Sequence, residues 1–206
     1  MERPKRKPLI CGIDEVGRGP LAGPVTAAAT VLPGTVDRSV LRDSKVLSPA
    51  RRNVLEELLI ANGTFFGLGW VSSEDIDSMN IHNASLLAMK RAFEALLALE
   101  LLPPGPIDVI VDGRFSPDIA GNPVVTQCRA LVGADHIIPE VMAASILAKN
   151  ARDRQMVLYA KRYSQYGFER HKGYPTAEHK AALREHGPSP IHRRTFRGVV
   201  PPGAVL

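Results

Sequence analysis

Apolar residues follow two rhythms along this chain. Runs of about four to eight apolar and β-branched residues, closed off by Gly, Pro or Asp, predict strands at 9–14, 25–32, 64–71, 107–111 and within 124–132. A turn rich in Gly17, Gly19, Pro20, Gly23 and Pro24 separates the first two runs and Pro33-Gly34 ends the second, so these two are expected to pair antiparallel. Elsewhere apolar residues return every third or fourth position, the spacing of a helix with one buried face. Ser48-Pro49 supplies an N-cap and a first-turn proline, followed by Val54, Leu55, Leu58 and Leu59 on one face and a stop at Gly63. Ser72 to Asp75 opens a short helical turn. Residues 82–102 predict a long helix with Leu86, Met89, Phe93, Leu96 and Leu97 inward, ended by Pro103-Pro104-Gly105-Pro106. Residues 140–163 predict another, with Lys149, Arg152 and Arg154 on its polar side. A loop from Gly167 to Tyr174 then leads to a last short helix at 176–186, closed by Gly187-Pro188. Strands that come first and then alternate with helices indicate an α/β domain with a mixed central sheet flanked by helices.

Composition adds limits. With 206 residues, 45% hydrophobic and 23% charged, the chain can bury a real core. No apolar stretch is long enough to span a bilayer, and residues 9–13 are too short for a signal-peptide core, so a cytoplasmic location is expected. Cys11 and Cys128, both in apolar surroundings, suit buried thiols in a reducing compartment. The net charge of +5 is uneven: residues 1–7 carry +3 and residues 161–197 carry +6, leaving −4 for the remainder. Basic ends attract a polyanion, or are merely solvated, while an acidic middle can hold cations.

The carboxylates of that middle end strands. Asp14-Glu15 closes the first apolar run and Asp112 closes the fourth, where α/β sheets carry their sites. Acids gathered at one sheet edge repel one another unless a cation joins them, and oxygen ligands select Mg²⁺ or Mn²⁺. Taken singly, each acid could instead cap a helix or pair with Arg18.

The segment Ile13-Asp14-Glu15-Val16-Gly17-Arg18-Gly19-Pro20-Leu21-Ala22-Gly23-Pro24 resembles the signature of the bacterial ribonuclease HII family. Further blocks follow in family order: Asp43-Ser44-Lys45, Met79-Asn80-Ile81-His82-Asn83, Val111-Asp112-Gly113, Ala143 to Lys149, and Tyr166-Gly167-Phe168 through His171-Lys172-Gly173-Tyr174-Pro175. The resemblance implies a ribonuclease H-like fold with a small C-terminal helical segment. It implies an endoribonuclease acting on RNA–DNA hybrids and on ribonucleotide-containing duplex DNA, using two divalent ions, Mn²⁺ or Mg²⁺. It implies Asp14, Glu15, Asp112 and Asp135 as catalytic metal ligands, with Asp118 as a competitor for the fourth place. By the same resemblance Gly17, Arg18 and Gly19 contact the ribonucleotide 2′-hydroxyl and Tyr174 packs on the next deoxyribose; read without it, these are a tight turn and a half-buried aromatic. Lys45 and Lys172 are candidate phosphate contacts, or solvated lysines. His171, His179, His186 and His192 are expected at the surface near nucleic acid without a catalytic role, and the run from Arg193 to Arg197 is expected to track the duplex backbone. The expected organisation is a basic tail over 1–8, a catalytic domain over 9–197 whose helical substrate-binding part starts near 161, and a flexible tail over 198–206, acting as a monomer. The rival readings are another nuclease of the same fold, such as a type 1 ribonuclease H, a non-catalytic nucleic-acid binder, and a carboxylate-pair glycosidase, against which the lone Trp70 argues.

Overall fold

A computed structural model describes residues 7–41 and 48–200. The first element is β1 (Leu9–Val16), followed by β2 (Val25–Val31), α1 (Pro49–Ala61), β3 (Phe65–Val71), α2 (Ser73–Leu97), β4 (Ile107–Asp112), β5 (Val125–Leu131), α3 (Pro139–Arg162), the short α4 (Phe168–His171) and α5 (Ala177–His186). The strands lie in the order β3-β2-β1-β4-β5. β2 runs antiparallel to both β1 and β3, whereas β4 lies parallel to β1 and β5 parallel to β4, giving the expected mixed sheet. Among the described residues no helix is long and apolar enough to cross a membrane.

Helices cover both faces of the sheet. α2 packs Ala88, Met89, Ala92, Phe93 and Leu96 on one face together with Cys11, Ile13, Val25 and Ala27. It comes unusually close because Gly67 and Gly69 face it: a Cβ at Gly69 would lie 2.0 Å from the Ala88 carbonyl oxygen. α3 covers the other face, where Ala144, Leu147 and Ala148 meet Ala28 of the fully buried β2. The short helix and the long one expected around 72–102 meet at Asn80, whose φ of 69° and ψ of 162° break the helix between them. The long part stops at Leu97, before the expected 102; Glu100 is left-handed (φ 54°) and Leu101 is 67% exposed. Pro103 also disfavours a helical conformation at Leu102.

Two expected faces differ in detail. In α1, capped by the Ser48 side chain on the Arg51 amide, Val54 is 61% exposed, and Glu56 turns inward to bond Asn150 and Arg154. The inward stripe is therefore Arg52, Leu55, Glu56 and Leu59, at helical spacing. At the C-terminal end Val199 is buried against Leu21 and Leu183, so residues 198–200 are packed rather than a loose tail, while residues 201–206 and 1–6 lie outside the described residues.

Candidate active site

Parallel pairing delivers the acids to one place. Ile13 of β1 is in register with Val111 of β4, so the next residue on each strand, Asp14 and Asp112, lie side by side at the strand ends. Asp14 is buried, and its carboxylate accepts the Glu15 amide at 2.8 Å and the Ser145 hydroxyl from α3. Burial first, then the Glu15 charge, holds the Asp14 carboxyl well above the usual carboxylate range; the Ser145 hydroxyl opposes that rise and Asp112 adds to it. Glu15 is raised as well, by burial and by Asp112, with the Arg18 guanidinium at 3.2 Å pulling the other way. Asp135 follows β5 on a single helical turn, and its amide approaches the Asp112 carboxylate at 3.5 Å, the outer limit of a hydrogen bond. Its own carboxylate lies 3.8 Å from His136 Nε2. The competitor Asp118 is exposed, beside Lys90 and Asn122.

These residues suit a hard divalent cation. The donors are all carboxylate oxygens, and among the described residues no lysine or arginine forms an ion pair with Asp14 or Asp112. Burial raises Asp14 and Glu15 most, and the neighbouring carboxylates add to it (Glu15 and Asp112 on Asp14, Asp112 on Glu15); a bound cation would relieve that added repulsion. Among the described residues no three such side chains already converge to ligand distance, so the fit rests on adjoining strand ends and donor chemistry.

Directly beside the acids, Gly17 takes a φ of +93° and turns the chain so that Arg18 and Gly19 are exposed. Tyr174, 37% exposed, lies over this turn: a Cβ on Gly19 would be 3.9 Å from its Cε1. The Lys149 ammonium and the Arg152 guanidinium each sit 5.8 Å from the Tyr174 ring centre. From Tyr174 a groove of about 720 Å³ continues between α1 and α3, lined by Arg52, Lys149, Arg154, Arg170 and Lys172; none of the four acids lines it. Lys172 lines this groove in a left-handed conformation (φ 53°), and its ammonium donates to the Glu169 carbonyl. Lys45 lies outside the described residues.

Two basic residues expected at the surface are in fact fully buried. Arg152 leaves the polar side of α3 and donates to the carbonyls of Pro24, Lys172 and Ala22 at 2.9, 3.0 and 3.1 Å. Arg193 donates to the carbonyls of Gly17 (2.6 Å), Arg18 (3.0 Å) and Gly23 (2.9 and 3.0 Å), so of its run only Arg194 and Arg197 are free to meet a duplex. Burial, and then the Arg152 charge, pushes Arg193 down to about 9.

The histidines also differ from expectation, since His171, His179 and His192 are buried. His179 Nδ1 lies 3.0 Å from the Tyr174 carbonyl, and its Nε2 lies 2.9 Å from His192 Nε2. His192 Nδ1 accepts the Ser189 amide at 2.9 Å. This pattern assigns neutral rings to His179 and His192, and burial lowers His179 and pushes His192 down to about 3. Sequence reasoning missed Ser145, Arg152 and Arg193. A signal existed for Arg152, which continues the buried stripe of Ala144 and Ala148 at four-residue spacing; none existed for Arg193.

Known proteins similar to this chain are ribonucleases. The family model described as Ribonuclease HII matches residues 11–199. The chain is 48% identical over 199 residues to the ribonuclease HII of Treponema denticola, covering 91% of this chain and 98% of that one. Among solved structures it is similar to the ribonuclease H2 of Pyrococcus horikoshii OT3, with 28% identity, a TM-score of 0.69, and coverage of 92% of this chain and 94% of the other. It also shares its fold with Bst-RNase HIII in complex with Mn²⁺, at 18% identity and a TM-score of 0.63, over 86% of this chain and 70% of that one.

Proposed function

Because the chain belongs to the ribonuclease HII family and is a ribonuclease H of that fold, we propose that it also incises duplex DNA at single embedded ribonucleotides. Cleavage falls on the 5′ side of the ribonucleotide and leaves 5′-phosphate and 3′-hydroxyl ends. The observation that carries this reading is that the Tyr174 ring lies over the exposed Arg18-Gly19 turn beside the acids. A backbone without a Cβ at Gly19 lets a minor groove approach closely enough for its 2′-hydroxyl to be read. Tyr174 is then placed to press on the neighbouring sugar, where a second 2′-hydroxyl would crowd it.

Asp14, Glu15, Asp112 and Asp135 would hold two divalent cations, Mg²⁺ or Mn²⁺; Mn²⁺ is the ion in the Bst-RNase HIII structure. When bound, such ions supply an activated water and neutralise charge growing at the scissile phosphate. The chain's own part is to fix the ligands. Ser145 orients the Asp14 carboxylate, Arg18 holds that of Glu15, and the Asp135 amide steadies that of Asp112. Lys149, Arg152 and Arg194 contribute positive potential toward the phosphates.

A DNA duplex carrying one ribonucleotide, incubated with Mg²⁺ or Mn²⁺, tests the reading, because a type 1 ribonuclease H leaves that substrate intact. Asp112→Asn is expected to lower its cleavage at least about 100-fold with duplex binding retained, since binding rests on backbone charge and not on the acids. Undiminished turnover in that variant would remove Asp112 from the catalytic set.

A further inference from the structure

A buried guanidinium without a carboxylate partner is costly, and this chain has two of them close together. Arg152 and Arg193 are the bulkiest fully buried side chains, and neither forms a salt bridge among the described residues. Removing such a charge from water costs several kcal/mol unless every donor is well satisfied. The satisfaction here comes entirely from backbone carbonyls, and those carbonyls belong to two segments: the turn from Gly17 to Pro24, and Lys172 in the loop that carries Tyr174.

The two arginines divide the work. Arg193 gathers the carbonyls of Gly17, Arg18 and Gly23, closing the turn on itself. Arg152 joins that turn to the second loop, since a single guanidinium spans Ala22, Pro24 and Lys172. The join is reinforced by the Leu21 amide on the Gly173 carbonyl at 2.8 Å and by the Tyr174 ring 5.8 Å from the Arg152 guanidinium. The Gly17 and Arg18 carbonyls are drawn inward, while the amides of the exposed Arg18 and Gly19 have no acceptor among the described residues. Packing leaves no slack, since a Cβ on Gly17 would lie 2.3 Å from Arg152 Nε.

From this geometry we propose that Arg152 is a positioning residue that determines sugar specificity, by fixing the distance between the Gly17–Gly19 turn and Tyr174. It touches neither substrate nor cation. The proposal rests on the reading that the turn contacts the ribonucleotide and Tyr174 its deoxyribose neighbour. A rigid spacing between the two readers makes a ribonucleotide followed by a deoxyribonucleotide fit better than two ribonucleotides in succession.

The test compares two substrates, a DNA duplex with one embedded ribonucleotide and a continuous RNA–DNA hybrid, cut by the full chain with Mg²⁺. Arg152→Lys keeps the charge but cannot span three carbonyls. It is expected to lower the preference for the embedded ribonucleotide about tenfold, chiefly through kcat, as loss of charged hydrogen bonds at a positioning group does. Tyr174→Ala should shift the same ratio, and the double variant should shift it no further than either alone, because both act on one contact. A purely architectural role would instead slow both substrates equally and leave the ratio unmoved, which overturns the proposal. If Tyr174→Ala changes the ratio and Arg152→Lys does not, the proposal fails while the reading of Tyr174 stands. If neither changes it, both fall. Should Arg152→Lys not fold, Arg152→Gln, which buries no charge and cannot span the carbonyls of Ala22, Pro24 and Lys172, takes its place with the same expected result.

Discussion

Replacing Gly17 with alanine probes the turn more sharply than removing any charged group, because the cost can be assembled from geometry. The φ of +93° at Gly17 lies in the region that L-residues avoid, worth about 1–2 kcal/mol for an added Cβ. The new methyl would stand 2.3 Å from Arg152 Nε, 2.7 Å from its Cδ and 2.9 Å from the Pro24 carbonyl oxygen. None of these can yield cheaply, since Arg152 is fully buried and the same Nε donates to that Pro24 carbonyl. Displacing it forfeits at least one charged hydrogen bond, about 1.5–3 kcal/mol. The sum is a loss of roughly 2.5–5 kcal/mol, a shift of about 1–2 M in the urea midpoint at an ordinary slope. Gly19 is the internal control. It has no left-handed φ, and its Cβ would meet only Tyr174 Cε1 at 3.9 Å, so Gly19→Ala should change stability by less than about 0.5 kcal/mol. Urea unfolding of the two variants followed by circular dichroism settles the matter. Equal midpoints for Gly17→Ala and Gly19→Ala, or an unshifted Gly17→Ala, would refute the claim that the turn is wedged against Arg152.

Other outcomes follow from the same structure. Asp14→Asn is expected to raise stability at pH 7 by about 0.5–2 kcal/mol while cleavage is lost, since it removes a buried charge that its neighbours oppose; a destabilised variant would contradict that. With the Asp14 carboxyl raised in the folded state, the native form keeps a proton that the unfolded chain releases near pH 4, so this group's contribution is full below about pH 4 and declines as pH rises from there toward the raised folded value. Adding Mg²⁺ or Mn²⁺ at neutral pH should reverse the penalty and raise Tm, by about 2.7 kcal/mol at 100 times Kd, and no shift would count against a site at Asp14. His192 has the opposite sign. Its folded value near 3 lies below the unfolded 6.5, so its contribution is full above about pH 6.5 and declines as pH falls toward 3; His192→Gln should flatten that acid limb of the stability profile, and an unchanged limb would mean that His192 is not buried neutral.

Much of this layout is legible along the chain because it depends on local rules. Asp14 and Asp112 stand out by ending apolar runs, and parallel pairing of those runs is enough to make them neighbours. The Ser48 cap and the break near Asn80 follow from side chains that bond or tolerate their own backbone. The buried polar residues obey no such rule. Arg193 finds its acceptor at Gly17, 176 positions earlier, and Arg152 reaches Ala22 across 130 positions. Before the sheet and α3 exist, nothing distinguishes these arginines from solvated ones, and a cluster of basic residues then reads as a surface for polyanions. His179 and His192 mislead in the same way, since a hydrogen-bonded pair of rings is satisfied only once the last loop folds back. Val54 shows the milder form of the error: it is apolar, but a shift of the buried face by roughly a quarter of a turn gives its inward place to Glu56, which Asn150 and Arg154 satisfy.

The unbroken course of α3 has a consequence of its own. Ser145 reaches the carboxylate of Asp14, and Arg152, seven residues on, grips both loops. Seven residues make nearly two full turns, so both lie on one side of the rod, about 10 Å apart, or roughly three base steps. On the proposed reading the helix would act as a gauge between the point of scission and the point of inspection. Insertion of one residue between them would swing Arg152 through about 100° and disengage one station from the other, whereas the loops at either end can lengthen without altering the span.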